Sequence, residues 1–137
     1  MTIVTAGDDG MTASAVLVLE GSPPRILVGV NEAADFHAAV NDTGRFVVHV
    51  ARQEHRHLSD RFAEIAPSPG GLFAGLATEA TEWGTRLLGF DTWAGCRLED
   101  CQRIGWQVLV VGEIEHLEVG GLDDPLVYFR GRYRSLA

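Results

Sequence analysis

The sequence predicts a mostly β domain, a closed or partly closed barrel with two short helices inserted early. Three observations carry this. Short β-branched apolar runs recur along the chain, from Ile3-Val4 to Leu126–Phe129. Only two stretches, about Ala33–Val40 and Gln53–Ile65, place apolar residues at helical spacing. In the second half Gly89, Gly105, Gly112, Gly120-Gly121 and Gly131 punctuate a β pattern with turns or bulges. Strands and helices do not alternate regularly, which argues against a doubly wound α/β fold.

Taken in order, Ile3-Val4 opens a strand that stops at the turn signal Gly7-Asp8-Asp9-Gly10. Thr12 to Glu20 reads as one strand, small at first and then β-branched and apolar. Ser22-Pro23-Pro24 breaks it, and Arg25-Ile26-Leu27-Val28-Gly29-Val30 is the next. Asn31 is placed to cap the first helix, whose Phe36 and Val40 share a face, and Asn41-Asp42-Thr43-Gly44 ends it. Arg45 to Ala51 is a strand. Leu58, Phe62 and Ile65, spaced four and three apart, make Gln53–Ile65 the second helix. Ala66-Pro67-Ser68-Pro69-Gly70-Gly71 is a loop, short enough to be internal to a domain. Strands follow at Gly84–Leu88, Phe90–Arg103, Gln107–Val119, Leu126–Phe129 and Arg132–Leu136. The 137 residues fit a single domain, 1–137.

Composition narrows the function. Eleven Lys+Arg against nineteen Asp+Glu, a net charge of −8, argue against nucleic acid as the main partner, whose affinity rests on neutralised phosphates. No apolar run approaches the roughly 20 residues of a membrane span. Met1-Thr2-Ile3-Val4 has neither the basic start nor the apolar core of a signal peptide, so a cytoplasmic protein is expected. Two cysteines do not make a disulfide scaffold. Cys96 and Cys101 are five apart, which in a strand points them to opposite faces, where they cannot share a metal. His55 and His57 are read as a solvated helix face, with no third ligand in sight and no metal expected. His37 and His116 show no carboxylate or cysteine partner, and Asn41-Asp42-Thr43 reads as a helix-ending turn. Tyr128, Phe129 and Tyr133 are expected in core and barrel wall. G-x-G-x-x-G, G-x-x-x-x-G-K-[ST] and G-x-S-x-G are all absent.

Several segments, read together, resemble the short-chain flavin reductases, the FMN-binding split-barrel family that serves two-component monooxygenases. Ile3-Val4-Thr5 followed by Gly10-Met11-Thr12-Ala13-Ser14-Ala15 is similar to its opening strand and G-x-T-A-S-[SA] segment. Ser22-Pro23-Pro24 stands where the family has Asp-Pro-Pro, and Ile26–Asn31 matches the next strand with its terminal Asn. Gly44–Val50 resembles G-x-F-x-V-N-V, with His49 in place of the Asn. Gln53 with Leu58-Ser59-Asp60-Arg61-Phe62-Ala63 resembles Q-x-x-L-S-x-R-F-A with two extra residues before the Leu. Leu87-Leu88, Cys96, Gly112-Glu113-Ile114, Asp124–Tyr128 and Gly131-Arg132-Tyr133 keep the family's order. The family's usual N-terminal segment with a helix does not precede the first strand here.

The resemblance implies a homodimer that binds FMN or FAD and passes hydride from NAD(P)H to the flavin, as the small component beside a flavin-using monooxygenase. It assigns Thr12, Ala13, Ser14 and Ala15 to the flavin ring, where small side chains, N–H groups and hydroxyls suit a polar ring edge. Asn31, Gln53 and Ser59 would hold the ribityl–phosphate tail, and Gln107 and Tyr133 the nicotinamide side. Two stretches depart from the pattern. Where the family has N-R-x-S-x-T-H, this chain reads Asn31-Glu32-Ala33-Ala34-Asp35-Phe36-His37, without hydroxyls and with two carboxylates. A phosphate contact there is impaired, or is supplied by Arg52, Ser59 or Arg61. Where many members carry Gly-Asp-His, this chain reads Gly105-Trp106-Gln107. The alternative reading is a non-reductase member of the same fold, its pocket shaped by Phe36, Trp106 and Gln107 for a small apolar ligand. A third is a pseudoenzyme subunit of a larger complex.

Overall fold

The computed structural model describes residues 1–65 and 68–136. Strand β1 (Thr2–Ala6) turns at Gly7-Asp8 into β2 (Asp9–Ala13). Ser14 and Ala15 interrupt the extended chain before β3 (Val16–Leu19), and β4 (Arg25–Asn31) leads to helix α1 (Asp35–Thr43). After β5 (Arg45–Val50) a single 3-10 turn over Gln53–His55 runs into α2 (Arg56–Phe62). The hairpin β6 (Thr78–Thr81) and β7 (Gly84–Leu87) is followed by the long β8 (Trp93–Ile104) and β9 (Gln107–Glu118), then by the hairpin β10 (Val127–Phe129) and β11 (Arg132–Arg134).

Seven strands form one antiparallel sheet in the order β2-β1-β5-β8-β9-β4-β3. Its two edge strands, β2 and β3, are consecutive in the chain and only two residues apart. The sheet must therefore roll until its edges converge, while no ladder bonds join them: a split barrel. Its interior is filled by alternate residues, among them Val4, Ala13, Val28, Val30, Phe46, Val48 and Val110, with Phe36 and Val40 of α1 packed onto them. A second cluster on the other side of β1 and β5 joins Ile3, Leu58, Phe62, Leu87, Phe90 and Leu126. Gly44 ends α1 in the left-handed conformation, φ 72°, its N–H donating to the Val40 carbonyl.

Several expectations are corrected. Thr12–Glu20 is not one strand: barrel closure divides it at Ser14-Ala15. Asn31 does not cap α1 itself; its Oδ1 accepts the Ala33 N–H at 2.8 Å and stabilises the turn before the helix. Cys96 and Cys101 do not lie on opposite faces, because a bulge between Leu98 and Asp100 inserts one residue into β8. Both cysteines pack against the barrel core, and burial pushes the Cys96 thiol up to about 12. Tyr128 and Phe129 are not core; they lie exposed on the β10–β11 hairpin, outside the barrel sheet. The predicted loop 66–71 begins with two residues, Ala66 and Pro67, outside the described ones, and Ile65 is 74% exposed rather than buried on the helix face.

His37, His55 and His116 are tied into the structure. His55 is buried, not solvated: its ring stacks on Phe90 at 3.8 Å between centroids. Its Nδ1 accepts the Arg52 N–H and its Nε2 donates to the Gly89 carbonyl. His57 is exposed. His37 donates to the Glu32 carbonyl and accepts from Asn41, while His116 stacks on Trp83 and lies 3.2 Å from Glu118. Among the described residues no group of three or more His, Cys, Asp or Glu is arranged to hold a metal, and no helix is long and apolar enough to cross a membrane.

Candidate functional site: a cleft between β2, α2 and the C-terminal hairpin

A cleft of about 510 Å³, within the usual range for small-molecule sites, opens beside the Ser14-Ala15 turn. Thr12 and Ser14 form one side, Arg56, Asp60 and Ala63 of the α2 region a second, and Tyr128, Arg132 and Tyr133 of the β10–β11 hairpin a third. A short polar chain holds these walls together. The Thr12 hydroxyl donates to the Ser59 carbonyl. The Tyr133 hydroxyl donates to Asp60 Oδ1 at 2.8 Å, so the buried Ser59 hydroxyl, also 2.8 Å away, donates to Tyr133. Burial, outweighing the Ser59 bond, and the Asp60 carboxylate raise the Tyr133 phenol, which keeps its proton at neutral pH. The Arg56 guanidinium lies over the Tyr133 ring, 5.0 Å from its centroid, and Tyr128 meets that ring edge-on at 5.2 Å.

The structure thus brings Thr12, Ser14, Ser59 and Tyr133 together, and leaves the other named residues elsewhere. Ala13 is buried in the barrel core, and its carbonyl accepts the Thr2 hydroxyl. Ala15 is exposed; its carbonyl accepts the Gly29 N–H, and a side chain at Gly29 would crowd its methyl. Gln107 also adjoins Gly29 and pairs in register with Asn31, so the two-residue turn stands between that group and the cleft. Gln53 is occupied by donating to the Pro125 and Arg134 carbonyls, which pins the hairpin's flanks. Sequence reasoning missed Arg56, Asp60, Tyr128 and Arg132 as cleft residues. Arg56 and Asp60 are four apart on one helix, hence on one face, and that spacing was the available signal.

A second cavity of about 360 Å³ shares Thr12 and opens at the start of α1. Asp9, Ala33, Ala34, Asp35, Phe36, Phe62 and Glu64 line it, with three carboxylates and no cationic side chain. Asp9 is raised by burial first, then by Asp35 and Asp8, so the field there is negative. A phosphate about 4 Å from any one of these carboxylates would be opposed by roughly 1–4 kcal/mol. Glu32 is offset by Arg103 at 3.0 Å.

Tyr133→Phe is expected to lower stability by about 1–3 kcal/mol, because it strands the buried Ser59 hydroxyl and frees Asp60. Urea unfolding measures it, and an unchanged midpoint would show that the polar chain does not hold the hairpin.

A flavin fits this donor set: exposed hydroxyl and backbone groups at Ser14, two tyrosine rings, and a cleft of small-molecule volume. The family model for the flavin reductase like domain matches residues 1–137. The chain is 33% identical over 138 residues to the reductase component of 4-nitrophenol 4-monooxygenase/4-nitrocatechol 2-monooxygenase from Rhodococcus opacus, covering 97% of this chain and 72% of that protein. It is 32% identical over 147 residues to an FMN reductase (NADH) from Ancylobacter novellus, covering 100% of this chain and 78% of that one. Among solved structures, nitrilotriacetate monooxygenase component B from Mycobacterium thermoresistibile aligns with a TM-score of 0.88 at 25% identity, over 99% of this chain and 78% of that chain. Whole-length sequence agreement and the same rolled sheet lead to one conclusion: the chain belongs to the flavin reductase like domain family.

Proposed function

We propose that residues 1–137 act as a single domain, a cytoplasmic homodimeric NAD(P)H-dependent flavin reductase that supplies reduced FMN or FAD to a two-component monooxygenase. Family membership implies a flavin and NADH; the single observation that carries the reading to this chain is the cleft at Thr12-Ser14, closed by Tyr133. A bound flavin supplies the redox chemistry, accepting hydride from a nicotinamide held against it. The protein's part is binding and orientation. Ser14 offers an exposed hydroxyl and the turn's backbone N–H groups to a polar ring edge. Tyr128 and Tyr133 give the ring planes an aromatic wall. Asp60 and Ser59 fix the Tyr133 phenol by two hydrogen bonds. No acid or base is required of the chain, since hydride passes between two rings held face to face. Homodimerisation is supported by the apolar edge of β3, where Leu17, Val18 and Leu19 lie exposed beside the barrel's open seam.

The test is NADH and NADPH consumption with added FMN, FAD or riboflavin, preceded by quenching titrations of the three flavins. Micromolar or tighter binding with turnover is expected. No turnover in any combination would overturn the proposal.

A further inference from the structure

Two cavities meet at Thr12 and carry opposite charge. The one at α1 presents Asp9, Asp35 and Glu64 and no cation. The cleft presents two arginines, Arg56 and Arg132, and a single carboxylate, Asp60, already engaged by the Tyr133 hydroxyl. Neither arginine has a carboxylate within ion-pair distance among the described residues, whereas the cations named from the sequence are committed elsewhere. Arg52 lies 3.4 Å from Asp123 and 3.6 Å from Asp91. Arg61 donates to the Gly71 and Ala74 carbonyls. The Tyr133 ring supports Arg56 from below, which holds its guanidinium along the cleft wall and leaves its N–H fork for an oxyanion.

We infer that Arg56 and Arg132 take the anionic phosphate of a nucleotide bound in the cleft, and that the α1 end excludes it. The inference rests on the flavin reductase reading and adds to it a polarity: the charged end of the ligand points to the C-terminal hairpin. Two ligands of such a reductase carry that chemistry, the flavin monophosphate and the nicotinamide dinucleotide pyrophosphate, and one set of variants separates them.

The experiment titrates riboflavin and FMN by fluorescence quenching, and measures KM for NADH with riboflavin as acceptor. It compares wild type with the variants R56Q/R132Q, R56K/R132K and Asp35→Asn. If the flavin phosphate is held, R56Q/R132Q weakens FMN at least tenfold and leaves riboflavin within twofold. If the pyrophosphate is held, KM for NADH rises at least tenfold while both flavin affinities stand. In either case the lysine variant, which keeps the charge but neither the fork nor the stacking on Tyr133, loses less affinity than the glutamine variant, and Asp35→Asn shifts the FMN-to-riboflavin ratio less than twofold. The inference is overturned if R56Q/R132Q changes nothing, if it weakens riboflavin and FMN alike, or if Asp35→Asn tightens FMN selectively by tenfold. Should the double variant fail to fold, Arg132→Gln, an exposed hairpin position, reads the same outcomes. A wild-type protein that binds no flavin and turns over no NADH overturns the reductase reading itself.

Discussion

Replacement of His49 by alanine is expected to lower stability by about 3–5 kcal/mol, read as a shift of the urea midpoint. His49 lies on β5 at 0% exposure and bridges two other strands. Its Nδ1 donates to the Ile3 carbonyl of β1 at 2.8 Å, and its Nε2 accepts the Leu87 N–H of β7 at 2.9 Å. Alanine leaves both backbone groups buried without a partner and opens a void beside Phe90. The same bridge makes the protein acid-sensitive. Burial holds His49 down from its ordinary 6.5 to about 4, helped by the nearby Arg86 and His55 and opposed by the Ile3 hydrogen bond. The folded state therefore binds a proton less readily than the unfolded one. Its stability is complete above pH 6.5 and is lost as pH falls from there towards 4, by up to about 3 kcal/mol. His49→Gln keeps a donor and an acceptor but cannot titrate, so its stability should fall less than alanine's and vary less between pH 6.5 and 4. An alanine variant within 1 kcal/mol of wild type, or a glutamine variant with an undiminished acid limb, would falsify this account.

The second large effect is expected at Gly10, the glycine of the G-M-T-A-S segment. A Cβ at this position would lie 2.8 Å from the Phe62 ring and 3.0 Å from the Val4 carbonyl. Phe62 is buried at the end of α2, so the contact can be relieved only by moving the helix away from β2. Gly10→Val is expected to cost roughly 1–3 kcal/mol. It should also weaken flavin binding, since α2 carries the Ser59 carbonyl that holds Thr12 and the Ser59 and Asp60 side chains that hold Tyr133. Unfolding and quenching titrations on one preparation measure both. A variant with unchanged stability would show that Phe62 yields without cost. The glycine thus sets how closely helix and strand approach, and reaches the cleft through that distance.

The fold was largely legible because short apolar, β-branched runs such as Arg25–Val30 and Gln107–Val119 mark strands. The parts that were not legible depend on tertiary partners. Thr12–Leu19 has no local break signal, and only closure of the sheet divides it. β6 is polar, largely exposed residues, Thr-Glu-Ala-Thr, extended because it pairs with β7. The bulge after Leu98 resets the parity of β8 without a glycine or proline to announce it. At the cleft, Thr12, Ser14, Ser59 and Tyr133 came from a resemblance of motifs, which no periodicity supplies, since they lie up to 121 positions apart in the chain. Arg56 and Arg132 look like ordinary surface charges until the hairpin is folded against α2.

The sheet order also dictates when the barrel can exist. β2, β1 and β5 form one ribbon and β4 with β3 another, and among the described residues the β8–β9 hairpin alone hydrogen-bonds the two. Residues 1–50 thus carry two ribbons, linked through Ser14-Ala15 and through α1, whose inner edges find their ladder partners only in Trp93–Glu118. Three of the sheet's six pairings, β1–β5, β5–β8 and β4–β9, span long stretches of chain, which slows assembly. A truncation before residue 93 exposes two adhesive strand edges rather than a smaller barrel.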